Sequence, residues 1–201
     1  MLKHLKELAA LPGIAGQETA VREYIEKVLA QSGATYTAKV DPLGNLLVWL
    51  KGEAEAPKTV MFEAHMDEVG MMVTGITDAG YLRFATAGGI DEKVLVGRRV
   101  TVNGHTGVIG CGAIHLCPKD EKSKPVSADR LMIDIGAENK EEAEAVVAIG
   151  DAVIFDSEFT DLFGGKFKAR DLDDRVGCAL LLSLLEKPFP YDVLLAFTVQ
   201  E

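Results

Sequence analysis

Apolar positions along the chain change their spacing twice. Leu2, Leu5 and Leu8 recur at helical intervals and predict a short first helix, after which L-P-G-I-A-G-Q-E reads as a loop. Val21, Tyr24, Ile25, Val28 and Leu29 then fall at i, i+3, i+4, i+7 and i+8, the pattern of an amphipathic helix with one buried face, and Ser32-Gly33 ends it. Asp41-Pro42-Leu43-Gly44-Asn45 is a turn by its residue chemistry. Leu46 to Leu50 and Thr59 to Ala64 are short apolar runs that predict strands buried on both faces, and the second runs straight into His65.

From about Glu68 to Gly164 the spacing shortens. Runs such as Val94 to Val96, Val100 to Val102 and Val153 to Phe155 alternate with glycine turns, which predicts a small β-barrel or sandwich. One helix interrupts it, with Asn139 as cap and Glu142 in capping-box register ahead of Ala143 and Val146-Val147. The charged stretch Pro118 to Arg130 is expected to be a solvated loop. From Lys166 the first pattern returns: a short strand, R-D-L-D-D-R, a helix through Ala179 to Leu185, and a strand from Asp192 to Val199 that ends at Gln200-Glu201. An α/β unit split by a β insertion accounts for this order, with no internal repeat and no low-complexity segment.

Composition narrows the partners. A chain of 201 residues that is 48% hydrophobic can bury a substantial core. A net charge of −10 and a pI near 4.9 argue against a nucleic-acid surface, which needs a basic stripe. Small molecules, peptides and other subunits are the expected partners. Cys111, Cys117 and Cys178 form neither an even disulfide framework nor a paired zinc pattern, which fits a reducing compartment. The N-terminus carries Lys3, Lys6 and Glu7 among its leucines, unlike a signal peptide, and no apolar run reaches the roughly 18 to 20 residues that span a bilayer. The expectation is a non-exported, cytoplasmic protein without a membrane partner.

Three clusters could carry chemistry. In A-H-M-D-E-V-G, His65 and Asp67 stand at the carboxyl end of an apolar strand, where open α/β sheets place ligands, and a carboxylate two residues from a histidine can orient it as a metal ligand. A strand-end histidine without a ligand is the competing reading. In R-D-L-D-D-R, helix capping explains one aspartate, but three adjacent carboxylates repel, and a bound cation offsets that repulsion. Glu201 ends the last strand at the same edge, where a lone glutamate is ordinarily solvated. His4 and His105 read as surface residues, His115 as a possible cleft residue, Met71 and Met72 as strand core, and Cys178 as a small buried hydrophobe.

Taken in order, H-M-D-E-V-G-M-M-V-T, G-G-I-D, G-V-I-G with a following H-L, I-D-I-G-A-x-x-K-E-E-A, L-D-D-R-V-G-C and T-V-Q-E resemble the metallo-aminopeptidases of peptidase family forty-two through nearly the whole chain. The family comprises glutamyl and leucyl aminopeptidases that form tetrahedral dodecamers, some of which have been labelled endoglucanases. The resemblance implies an α/β/α aminopeptidase-type catalytic domain in two segments, 1–67 and 165–201, interrupted by a β-barrel dimerisation or apical domain over 68–164. It implies two divalent metal ions, zinc or cobalt or else manganese, short peptide substrates, and a homo-oligomer that builds from dimers to a dodecamer. His65 corresponds to a ligand of one metal, Asp67 to its orienting carboxylate, Asp173 to the aspartate bridging two metals, and Glu201 to the general base. The register between Asp173 and Asp174 stays open.

The family continues past that glutamate with a second glutamate, an aspartate and a histidine. The chain as written is therefore expected to lack a complete dinuclear site and to be inactive alone. The competing reading is a self-associating interaction module that keeps a relic of the site. A glycosidase would need two carboxylates about 5 to 10 Å apart along a sugar groove. No stacking aromatics suggest one, since the single tryptophan, Trp49, lies in an apolar strand.

Overall fold

The computed structural model describes residues 1–53, 58–112 and 126–201, and its chain divides into two compact units, Met1–Glu68 with Glu158–Glu201, and Val69–Ser157. The first unit opens with α1 (Leu2–Leu8) and α2 (Thr19–Gln31). On α2, Val21, Ile25 and Leu29 are buried while Tyr24 and Val28 pack at the margin of the same core, as the helical spacing requires. Strands β1 (Tyr36–Val40), β2 (Leu46–Leu50) and β3 (Thr59–His65) come next. Asp41 closes the turn between β1 and β2, its Oδ1 accepting from the amides of Leu43, Gly44 and Asn45 at 2.9, 3.0 and 3.0 Å.

The second unit contains β4 (Gly70–Ile76), β5 (Leu82–Ala87), β6 (Arg99–Val102), β7 (His105–Gly110), β8 (Met132–Asp134), α3 (Lys140–Glu144) and β9 (Ala152–Phe155). Its strands close a barrel in the order β4-β5-β8-β7-β6-β9, so the choice between barrel and sandwich falls to the barrel. Met71, Val73, Leu82, Val100, Val102, Ile109, Ile133 and Val153 fill it. Met72, expected in the core beside Met71, is only half-buried. Asn139 caps α3 by accepting from the Glu142 amide at 3.0 Å, and Glu142 returns its carboxylate to the Glu138 amide at 3.0 Å, one residue earlier than a capping box prescribes. Val94 to Val96, expected as a strand, instead begins with the last residue of a 3-10 turn, Glu92–Val94, that Asp91 caps, and both valines are exposed. A β-branched run carries no register of its own once a capping residue precedes it.

The chain then returns to the first unit through a hairpin, β10 (Thr160–Leu162) and β11 (Lys166–Lys168), succeeded by α4 (Leu172–Leu184) and β12 (Asp192–Thr198). The compact barrel unit ends at Ser157, and this hairpin groups with the sheet unit, whereas the glycine-punctuated texture runs on to Gly164. The four-stranded sheet has the order β1-β2-β12-β3, with β12 antiparallel to β2 and parallel to β3. Leu5, Leu8, Val48, Leu182, Val193, Leu195 and Phe197 belong to its core.

Two strand expectations need correction. β2 is not buried on both faces, because Leu46, Val48 and Leu50 point inward while Trp49 is 37% exposed. β3 is the outer strand of the described sheet, and Met61 and Phe62 are 58% and 36% exposed. An apolar run shows that a strand is sticky but not how many neighbours cover it. His105 begins β7 and is exposed. His115, Cys117 and most of the charged loop expected over 118–130 lie outside the described residues. No helix among the described residues is long and apolar enough to cross a membrane.

Candidate metal centre

Parallel pairing of β12 with β3 sets Thr198 beside His65, so the carboxyl ends of both strands open onto one rim. His65 ends β3 and Asp67 lies just past it, Glu201 lies beyond the end of β12, and the start of α4 supplies Asp173. The His65 Nε2 atom lies 3.2 Å from Asp173 Oδ1 and 3.9 Å from Glu201 Oε2. Its Nδ1 atom lies 3.1 Å from the Asp67 carbonyl oxygen and 3.4 Å from Asp67 Oδ1. Residues far apart in sequence thus meet around one imidazole ring.

A carbonyl oxygen can only accept, so the contact with Asp67 assigns the proton to Nδ1 and leaves the Nε2 lone pair facing Asp173. Two acceptors then oppose each other across 3.2 Å, an arrangement that calls for a proton or a cation between them. Burial pushes the His65 pKa down, but the hydrogen bond to Asp173 and the charges of Asp67 and Glu201 outweigh it, and the net direction is up. Zinc bonds near 2.0 to 2.2 Å at tetrahedral angles put neighbouring donor atoms about 3.4 Å apart. The His65–Asp173 pair matches that edge, and the Glu201 carboxylate stands farther off. Among the described residues no group of three or more His, Cys, Asp or Glu side chains is arranged to hold a metal ion. The donor pair therefore fits a divalent ion in chemistry and spacing, as part of a ligand set.

The three aspartates of R-D-L-D-D-R have three different tasks. Asp173 turns to His65 and is 96% exposed in its side chain. Asp174, joined to it by a cis peptide bond, accepts from the Gly177 amide at 2.9 Å and so caps the helical part of α4. A Cβ on residue 177 would collide with that carboxylate, which is why glycine stands there. Asp171 lies 2.8 Å from Arg170 Nε through its Oδ2. Asp173 thus lies toward the histidine and Asp174 toward the helix.

A second group of ionisable residues, buried around Glu68, is one that sequence reasoning passed over. Glu68 is 4% exposed, and its Oε1 accepts from the Gly13 amide at 3.0 Å. Arg170 Nε lies 2.8 Å from Glu68 Oε2, and Arg175, fully buried, donates from Nη1 to the Leu8 carbonyl at 2.9 Å. Its Nη2 stands 4.0 Å from Glu68 Oε1 without hydrogen-bond geometry among the described residues. Burial, then the hydrogen bond and charge of Asp171, push the Glu68 pKa up to about 9 against the pull of Arg170 and Arg175. The Cys178 thiol donates to the His65 carbonyl at 3.3 Å, and burial pushes it up to about 12, so it acts as an inert hydrophobe. The two arginines flanking the aspartates were the sequence signal for this group.

Residues 44–201 match the model of the M42 glutamyl aminopeptidase family. The chain belongs to that family. This M42 chain is 36% identical over 203 residues to a putative aminopeptidase of Acetivibrio thermocellus, a match covering 100% of the chain and 58% of that protein. Among solved structures, it is similar to the TET aminopeptidase of a marine-sediment Thaumarchaeota archaeon, with TM-score 0.90 and 33% identity over 100% of this chain and 59% of that one. It is similar as well to the TET1 peptidase of Pyrococcus horikoshii, which assembles into a tetrahedron or a large octahedral shell, with TM-score 0.85 and 40% identity over 100% of this chain and 61% of that one. The M42 chain therefore spans less than two thirds of the length of these relatives.

Proposed function

We propose that the chain carries part of the active site of a metal-dependent aminopeptidase that removes N-terminal residues from short peptides in the cytoplasm. The observation that carries this reading is the meeting of His65, Asp173 and Glu201 at one sheet rim. His65 Nε2 and Asp173 would hold a divalent ion, with Asp173 shared between two ions, and imidazole with carboxylate suits zinc, cobalt or manganese. When bound, such ions lower the pKa of water from about 15.7 toward about 7 and polarise a peptide carbonyl. Asp67 keeps the proton of His65 on Nδ1, so the other nitrogen stays a donor of electrons. Glu201, 75% exposed in its side chain, accepts the proton of the attacking water and returns it to the leaving amine, a role worth about 10² to 10⁴ in rate. Two donors are fewer than the about three protein ligands a catalytic zinc takes, so further donors belong to the working site.

The assembly of the Pyrococcus relative into closed shells supports a homo-oligomer here. The test is metal analysis and hydrolysis of aminoacyl anilides by the full-length protein. Stoichiometric metal, turnover abolished by chelation, and a turnover loss of about 10² or more in Glu201→Gln are expected. A well-folded, metal-free and inert protein that only self-associates would instead establish the interaction-module reading.

A further inference from the structure

Beyond Thr198, β12 leaves the sheet. Its last pairing is with His65, and the Met66 amide closes the ladder on the Thr198 carbonyl at 2.7 Å. The next three amides are each taken by a side chain from a different element. Val199 N donates to Asn45 Oδ1 at 2.9 Å, Gln200 N to Glu18 Oε1 at 3.2 Å, and Glu201 N to Asp67 Oδ1 at 3.2 Å. Asn45 is itself fixed, since its Nδ2 donates to Asp41 Oδ2 at 2.8 Å and leaves Oδ1 free to accept.

Glu18 is the unexpected member. It occupies the N-cap position of α2, yet its side chain makes no cap bond. It is 6% exposed, and Oε1 accepts from the Gly16 amide at 2.8 Å as well as from Gln200. Burying a carboxylate is costly, and capping its own helix would offset that cost locally. An amide at a strand end can be satisfied by water, so a carboxylate drawn there instead fixes a direction. Gln200 has φ +55°, a left-handed conformation uncommon outside glycine, asparagine and aspartate, and the amides on both sides of its Cα are the two held by Glu18 and Asp67. The residue aimed by that bend is Glu201.

We propose that Glu18 is a positioning residue for Glu201: by holding the Gln200 amide it sets the bend that points the Glu201 carboxylate at the imidazole of His65. The inference rests on the reading of Glu201 as the proton-transfer group. It is tested in the full-length protein with Glu18→Ala, Glu18→Asp and Glu18→Gln, and with Asp192→Ala as control, because Asp192 holds the Gly52 amide at 2.9 Å at the other end of β12. Amide hydrogen exchange at Gln200 and steady-state kinetics are both read. Glu18→Ala and Glu18→Asp are expected to speed exchange at Gln200 about 10-fold or more and to lower kcat about 10- to 100-fold with KM within about 2-fold. Glu18→Gln keeps an acceptor oxygen and is expected to restore most of both, while metal content stays constant and Asp192→Ala changes neither. Unchanged exchange in Glu18→Ala, a kcat loss shared by Asp192→Ala, or no rescue by Glu18→Gln overturns the proposal. A wild-type protein that hydrolyses nothing overturns the aminopeptidase reading, and exchange at Gln200 then decides separately whether Glu18 holds the strand end.

Discussion

The sheet unit holds two clusters of ionisable residues, and they solve the same electrostatic problem differently. The buried one sets Arg170 and Arg175 against Asp171 and a Glu68 carboxyl that stays protonated at neutral pH, and its side chains hold the backbone at Leu8, Leu11 and Gly13. The open one, His65, Asp173 and Glu201, gathers two carboxylates around one imidazole at the surface. Mixed signs in a dry interior stabilise a fixed geometry once made, whereas like charges left open to solvent are an arrangement waiting for a cation. Density of charge therefore does not mark a functional site by itself.

The most severe way to break this contrast is Arg175→Met, which removes a fully buried guanidinium, leaves the Leu8 carbonyl without its donor and takes one positive charge away from Asp171. A loss of about 3 to 5 kcal/mol in denaturant unfolding is expected, without direct change at the rim. An undiminished midpoint would show that the buried set is not structural.

Glu68→Gln comes next and is read through pH. The folded pKa of about 9 stands above the ordinary 4.5, so the folded state binds the proton more tightly. The associated stability is complete below about 4.5 and is lost as pH rises toward about 9. The wild-type melting temperature should fall across that window relative to Glu68→Gln, by an amount on the order of a few kcal/mol, or about 2–4 °C for each one. Parallel melting curves would refute the assignment.

A smaller effect separates neighbours. Asp174→Ala should cost about 1 kcal/mol through the lost cap and keep metal uptake, whereas Asp173→Ala should leave stability within about 0.5 kcal/mol and abolish uptake. Isothermal titration with zinc on both variants of the full-length protein checks it, and equal loss of uptake would merge the two roles. Smallest of all, His105→Ala should change stability by less than about 0.5 kcal/mol and leave zinc uptake intact, because the ring is exposed on β7.

Much of this architecture was legible in local patterns. The 3.6-residue period of α2, the Asp41 turn and the barrel runs at Val100 to Val102 and Val153 to Phe155 are short-range signals that correspond to observed elements, whereas the run at Val94 to Val96 does not form a strand. The exposure of Met61 and Trp49 was not legible, because a strand's neighbours are decided by other segments. Nor were Glu68 and Glu18 singled out. Their types are ordinary for surface and cap positions, and only burial at 4% and 6% distinguishes them.

The sequence by itself determined which residue types were available and, through their order, the family to which they belong. It set His65 and Asp67 two residues apart, three aspartates on one turn, and Glu201 at the end of an apolar strand. Only the tertiary structure decided which aspartate faces the imidazole, which caps a helix and which joins the buried arginines. The physical reason is range: capping and periodicity act over a few residues, while the approach of Glu201 to His65 is set by the pairing of β12 with β3 across more than a hundred.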